Sequence, residues 1–156
     1  MGEKRVAVYL DIENLIHPFR ATGQWSDGVE VMNDLIRWAA KIGTVVAGLG
    51  VCDRIAWGHV AVPLADLGVR VFSHSGGLDA ADLALIEHIE KGLPSSAGTV
   101  VIASGDHAFA AVASNLRVRG RHVVAVALAG ALSHELYRSV DEVRLLPHRA
   151  TESLAA

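Results

Sequence analysis

The sequence predicts an α/β fold, a Rossmann-like doubly wound and mostly parallel sheet of about five strands with helices on both faces. Three observations predict it. Short apolar runs, typical of strands buried on both faces, recur along the chain. Segments with apolar residues at helical spacing separate them. Several runs end in acidic or small polar residues, at the strand ends where such sheets carry their ligand sites.

The first predicted strand, residues 6–10, reads VAVYL and delivers Asp11 at its end. Residues 16–28 combine proline, glycine and polar residues without a clean period, so they predict a loop over the carboxyl edge of the sheet. Residues 29–40 place apolar side chains on one helical face, and Gly43 follows as a stop signal.

A second strand is predicted at residues 44–51 and ends near an acid. Residues 55–67 predict a helix that Pro63 interrupts, and residues 69–72 predict a short third strand. A loop of small residues then leads to a helix that begins near Asp79.

That next helix carries a buried stripe of Leu85, Ile86 and Ile89. Asp82 lies three residues before Leu85 and therefore on the same face, at its N-terminal end. We expect this carboxylate to face the mouth of the sheet rather than open water.

The fourth strand, residues 99–103, runs into Ser104-Gly105-Asp106 and a further helix. Residues 123–126 predict the fifth strand, and residues 142–146 a final edge strand. We expect a single domain over residues 1–150 and a disordered tail over residues 151–156.

The composition indicates an ordinary globular protein. A chain of 156 residues fits one domain, and its net charge of −3 gives no general attraction to nucleic acid. No apolar run is long enough to cross a bilayer, and the first residues lack the pattern of a signal peptide. We expect a cytoplasmic protein with no membrane partner. A small, apolar-rich domain can form a homodimer, but no segment identifies an interface.

Carboxylates from three segments are predicted to meet at one edge of the sheet: Asp11, Asp82 with Asp79, and Asp106. Strands one and four are neighbours in a doubly wound order, so Asp11 and Asp106 should approach each other. Two such charges about 4 Å apart repel by roughly 4 kcal/mol at an effective dielectric of about 20. A cation, a shared proton or water must separate them, and oxygen ligands of this kind suit Mg²⁺ or Mn²⁺.

A simpler alternative stays open for Asp79 and Asp106. Each has the local pattern of a helix N-cap, and a capping aspartate stabilises a helix by about 1 kcal/mol with no metal involved. Their convergence on one edge of the sheet favours a site, but each residue taken alone fits a cap.

Four sequence elements in this order resemble the NYN domain family, a branch of the PIN-like nuclease superfamily. They are DIENL at 11–15, DAADL at 79–83, SGD at 104–106 before a helix, and GRHVV at 120–124. The resemblance spans about residues 5 to 146. It implies a divalent-metal site and endoribonuclease activity, with Asp11, Asn14, Asp82 and Asp106 on the matching positions. Asp53 resembles an acid often present after strand two.

Two positions depart from the family pattern. The family often carries further acids where this chain has His88 and Ala108. Their loss should weaken metal binding, with Asp79, His88 and His107 as candidates to compensate.

The functional hypothesis is a metal-dependent endoribonuclease. Asp11, Asp82, Asp106 and Asp79 are the candidate metal ligands, and Mg²⁺ or Mn²⁺ the candidate cofactor. The candidate substrate-binding residues for single-stranded RNA are Asn14, Ser104, Arg20 and Arg54. Two alternatives stay open: a catalytically weakened PIN-like module that binds RNA or a protein partner, and a domain that binds a phosphate ligand.

Other residues carry weaker signals. Trp25 and Trp57 can stack on bases, although a place in the core or at its rim is the more common role of a tryptophan. The arginines near the end of the fourth helix, Arg117, Arg119 and Arg121, fit either a phosphate-binding patch or cations at a helix C-terminus.

Overall fold

A computed structural model describes residues 3–77 and 79–146 of the chain. The strands within these residues are β1 (Arg5–Asp11), β2 (Thr44–Asp53), β3 (Arg70–His74), β4 (Thr99–Ala103), β5 (His122–Leu128) and β6 (Glu142–Leu146). The helices are α1 (Ile12–Arg20), α2 (Trp25–Ile42), α3 (Arg54–Ala65), α4 (Ala80–Gly92), α5 (Ala110–Val118) and α6 (His134–Tyr137), with a 3₁₀ turn at His107–Phe109 before α5.

The sheet has the order β3-β2-β1-β4-β5-β6, and every neighbouring pair is parallel. The predicted fold class is confirmed, and the edge strand predicted at residues 142–146 is the sixth strand. The strand order reverses direction between β1 and β4. In sheets of this kind the ligand crevice lies outside the carboxyl ends of the strands at such a switch point.

Helices cover both faces of the sheet, which explains why β1 is apolar without alternation. Val6, Val8 and Leu10 pack into the core beneath α1, α2 and α3. Ala7 and Tyr9 pack into the opposite core beneath α4 and α5. The strand is therefore buried on both sides, and Asp11 at its end is held in a fixed position.

The predicted loop over residues 16–28 is wrong. Residues 12–20 form α1, and α2 already begins at Trp25. The buried residues of α1 follow helical spacing: Ile12, Leu15, Ile16 and Phe19. Their burial against α2 outweighs the hydrogen bond that Pro18 cannot donate.

The predicted interruption at Pro63 is also wrong, because α3 continues through this residue to Ala65. The proline lies near the end of the helix, where only one backbone hydrogen bond is lost. The predicted tail at residues 151–156 lies outside the described residues. No helix in the described parts of the chain is long and apolar enough to span a membrane.

Candidate metal centre

A cavity of about 960 Å³ opens at the carboxyl edge of the sheet, outside the ends of β1 and β4. Six acidic side chains line it: Asp11, Glu13, Asp53, Asp79, Asp82 and Asp106. Among the described residues that line it, none is a lysine or an arginine. The cavity is therefore a strongly electronegative space at the position where the topology predicts a ligand.

Asp11 is the innermost acid, and its side chain is held in place from β4. As the last residue of β1 it is 4% exposed. The hydroxyl of Ser104 donates a hydrogen bond to Asp11 Oδ2 at 2.8 Å and accepts one from the backbone N–H of Asp106 at 3.1 Å. The serine is fully buried and joins Asp11 to the turn that carries Asp106.

Asp82 reaches the same place from the first turn of α4, as its helical spacing predicts. It is 8% exposed, and its carboxyl lies close enough to the carboxyls of Asp11 and Asp106 to interact electrostatically with both. Burial, followed by the negative charges of Asp11 and Asp106, raises the pKa of the Asp82 carboxyl to about 7. The predicted convergence of Asp11, Asp82 and Asp106 is thus present in the structure.

The pKa of Asp11 shifts in the same direction. Burial is the main cause and, with the charge of Asp106, raises the pKa of Asp11 to about 6 against the opposing hydrogen bond from Ser104. Two buried carboxyls with raised pKa values share one site, so the pair binds protons close to neutral pH. A cation that replaces these protons would stabilise the two negative charges.

Asn14 and the Ser104-Gly105-Asp106 turn fix each other. The backbone N–H of Gly105 donates to Asn14 Oδ1 at 3.2 Å, and the carbonyl of Gly105 accepts from the N–H of Ser133 at 2.9 Å. A Cβ at position 105 would lie 2.1 Å from the carbonyl oxygen of Ala131, so only glycine fits. Asn14 also lines the cavity, and its amide nitrogen can donate hydrogen bonds to a ligand there.

The capping alternative holds for one of the two aspartates. Asp106 Oδ1 accepts from the N–H of Ala108 at 2.9 Å and caps the 3₁₀ turn, which leaves Oδ2 outside that bond. Asp79 occupies the N-cap position of α4 with a left-handed φ of 67°, but its side chain makes no capping hydrogen bond. It is exposed and lines the cavity.

The predicted phosphate-binding arginines lie at the rim. Arg20 forms an ion pair with Asp53, whose carboxylate also accepts the N–H of Ala56 at 2.8 Å. Burial raises the pKa of Asp53, but the hydrogen bonds from Arg20 and Ala56 outweigh it and hold the pKa below its usual range. Arg54 is the first residue of α3 and is exposed. Neither arginine is among the described residues that line the cavity.

Sequence reasoning missed a pair on the β3 side of the cavity. His74 Nε2 lies 3.0 Å from Glu13 Oε1, and both side chains line the cavity. His74 ends β3 as Asp53 ends β2, and the two residues are register partners. The rule that selected Asp11 at the end of β1 would therefore also have selected His74.

The NYN domain model matches residues 5–146, almost the whole described chain. The chain belongs to the NYN domain family. This family is part of the PIN-like nuclease superfamily, and its members are generally nucleases. The resemblance drawn from the four sequence elements is confirmed.

A solved structure supports the fold. The NYN chain is similar to a crystal structure of a protein of unknown function from Vibrio parahaemolyticus RIMD 2210633, with a TM-score of 0.68 and 15% sequence identity over 93% of each chain. The sequence matches none of the curated proteins with which it was compared.

The two departures from the NYN pattern have different surroundings. The ring of His88 stacks on Phe72 at 4.8 Å, on the α4 side of the sheet. Ala108 donates its backbone N–H to Asp106 and has no side chain that could reach a cation. The acids present in this NYN domain must therefore supply any metal ligands without help from these positions.

The donor set fits a hard dication bound with few protein ligands. Within residues 3–77 and 79–146, no group of three or more His, Cys, Asp or Glu side chains is arranged to hold a metal ion by itself. Mg²⁺, however, usually binds through one or two carboxylates and keeps several waters or phosphate oxygens. The closely spaced carboxyls of Asp11 and Asp82, in a roomy cavity, suit that mode.

Proposed function

We propose that this NYN domain is an endoribonuclease that hydrolyses phosphodiester bonds of single-stranded RNA with Mg²⁺ or Mn²⁺ in the acidic cavity. One observation carries the proposal: Asp11 and Asp82, from separate elements, bury their carboxyls side by side where the sheet topology predicts a ligand. A buried pair of like charges is costly unless a cation or a shared proton offsets it. A dication in the cavity would offset it.

Each residue has a distinct role in this proposal. Asp11 and Asp82 hold the ion, Asp106 and Asp79 add negative charge around it, and Ser104 keeps Asp11 oriented. When bound, the ion supplies a Lewis acid that activates water and neutralises charge on the phosphate. Asn14, with its oxygen held by Gly105, directs its amide N–H groups to a phosphate oxygen.

Substrate binding is proposed to come from the rim. Arg20 can exchange its partner Asp53 for an RNA phosphate, and Arg54 is exposed close by at the start of α3. Single-stranded RNA is the proposed substrate, because the bases of a duplex are paired and stacked and cannot contact residues at the rim of the cavity. The lone Cys52 agrees with a reducing compartment, and we propose the cytoplasm.

Cleavage of labelled single-stranded RNA with and without Mn²⁺ tests the proposal. We expect cleavage that requires the ion and falls at least a hundredfold in Asp11→Asn, because this variant removes a ligand charge. Asp34→Asn, on the exposed side of α2, is the matched control and should cleave like the unaltered protein. Equal cleavage by Asp11→Asn, or cleavage that survives chelation, would contradict the proposal.

The second candidate function is a catalytically weakened module that binds RNA. The observation in its favour is the presence of His88 and Ala108 where the family often has acids. It predicts RNA binding with no cleavage at any Mn²⁺ concentration, and the same assay therefore separates it from the first.

A further inference from the structure

We propose that the stacked rings of Trp25 and His59 form the binding site for an unpaired base of the RNA strand that enters the cavity. This inference rests on the proposed function and adds a subsite to it. The ligand class is a nucleobase with its neighbouring phosphate, and the phosphate contact falls to Arg20.

The two rings form a nearly parallel stack. Trp25, the first residue of α2, and His59, in the middle of α3, have ring centroids 4.0 Å apart and an interplanar angle of 5°. Trp25 is half-buried against the core, whereas His59 is exposed. One ring face of His59 stacks on Trp25, and because His59 is exposed, its ring offers a flat surface to a ligand with the indole behind it.

A chain of contacts connects this stack to the cavity. Asp53 lines the cavity and pairs with Arg20. The Cζ atom of Arg20 lies 5.6 Å from the centre of the Trp25 ring. The stack therefore lies one arginine away from the cavity wall, and that arginine is the cation best placed to hold a phosphate between the two.

A base is the ligand that fits this combination. Single-stranded nucleic acids bind to proteins through aromatic rings that stack on bases and through cations that hold the backbone, and every base offers a π face. A guanidinium next to an aromatic stack supplies both contacts. The protein has a net charge of −3, so local contacts of this kind must replace a general electrostatic attraction.

The inference is tested by removing the His59 ring and single RNA bases, first separately and then together. Octaribonucleotides that each lack the base at one position are compared with the intact octamer, with cleavage measured in Mn²⁺. We expect one or two positions where the missing base raises KM about tenfold for the unaltered protein. His59→Ala should raise KM about tenfold for the intact octamer and abolish the sensitivity at those positions.

Two further variants separate stacking from a structural role. His59→Phe keeps an aromatic ring and should restore both the low KM and the sensitivity to a missing base. His122→Ala removes an exposed histidine at the opposite edge of the sheet and should cleave every octamer like the unaltered protein. Thermal melting of His59→Ala checks that the variant is folded.

The outcomes distinguish this inference from the proposed function. If the unaltered protein cleaves RNA and His59→Ala responds to a missing base as strongly as the unaltered protein does, the base site is overturned and the proposed nuclease function stands. A protein that neither binds nor cleaves any octamer would overturn both.

Discussion

Asp82 is the residue on which the site depends most. Its carboxyl is 8% exposed and interacts electrostatically with the carboxyls of both Asp11 and Asp106. It therefore carries a proton in the metal-free protein at mildly acidic pH and loses it close to neutral pH. A group of this kind links metal binding, protonation and stability.

The stability of the metal-free protein should fall as the pH rises from about 5 to 8. Burial and like charges raise the pKa of Asp82 to about 7, and burial raises the pKa of Asp11 to about 6, whereas both return to about 3.9 in the unfolded chain. Between the unfolded and the folded pKa values the folded state therefore binds more protons than the unfolded chain. The stability that these protons contribute is lost as the pH rises through the folded pKa values. Thermal melting across this range measures the effect, and Mn²⁺ at about pH 8 should reverse it.

Asp82→Asn checks this explanation at one position. The amide keeps the shape but removes the charge, so the metal-free variant should be more stable at about pH 8 by about 2 kcal/mol, or roughly 4 to 8 °C. Its pH dependence should flatten and its cleavage of RNA should be lost. Asp79→Asn is the control for the pH dependence of stability alone, because this side chain is exposed and asparagine tolerates the left-handed φ of 67°. An unchanged pH profile in Asp82→Asn would contradict the explanation.

At the scale of elements, the turn between β4 and α5 joins three parts of the site. Ser104 holds Asp11, Gly105 holds Asn14, and Asp106 caps the 3₁₀ turn. Gly105 also contacts the segment after β5, since its carbonyl accepts from Ser133. Moving this turn would displace both the acids and the amide.

Gly105→Ala tests the importance of this turn. The new Cβ would lie 2.1 Å from the carbonyl oxygen of Ala131, so the backbone of one segment must shift. We expect RNA cleavage to fall at least tenfold and stability to fall by about 2 kcal/mol. Gly98→Ala is the matched control, because a Cβ there meets nothing within 4 Å. Normal cleavage in Gly105→Ala would show that the turn does not position the site.

The sequence predicted the acids better than the elements around them. Asp11 and Asp106 follow from the rule that parallel strands end at one edge, and Asp82 follows from the 3.6-residue period of α4. The helix α1 was missed because Pro18 and, further on, Gly23 resembled loop signals, although the buried residues of α1 had helical spacing.

Contacts between elements were beyond the sequence pattern. The stack of Trp25 on His59 depends on where α2 begins, and the pattern placed that start at residue 29 rather than Trp25. The proximity of the Asp82 carboxyl to those of Asp11 and Asp106 depends on how α4 packs against the sheet, which no periodicity encodes. The predicted homodimer stays a prediction.

At the scale of the whole molecule, charge distribution sets how RNA would bind. The net charge is −3 and the cavity is lined by acids, so attraction to the RNA backbone is left to the dication and to Arg20 and Arg54. The cluster of Arg117, Arg119 and Arg121 lies at the other edge of the sheet, where Arg117 pairs with Asp141 and Arg121 donates to the carbonyls of Pro94 and Ala97.

RNA affinity should therefore depend weakly on salt. Two arginine contacts to a single strand predict a slope of log Kd against log salt of about 1.4. Fluorescence anisotropy of a labelled oligonucleotide at constant Mn²⁺ measures it. A slope of about 4 or more would indicate a larger basic surface and would direct attention to the arginines at the opposite edge.

The central claim is that Asp11 and Asp82 together hold a divalent ion. Anomalous diffraction from crystals soaked in Mn²⁺ tests it most directly, since the signal locates the ion without reference to activity. We predict one strong peak within bonding distance of carboxylate oxygens of both residues, and no peak there in Asp82→Asn. Crystals of the unaltered protein that show no ion at this pair, or show it bound elsewhere, would contradict the account.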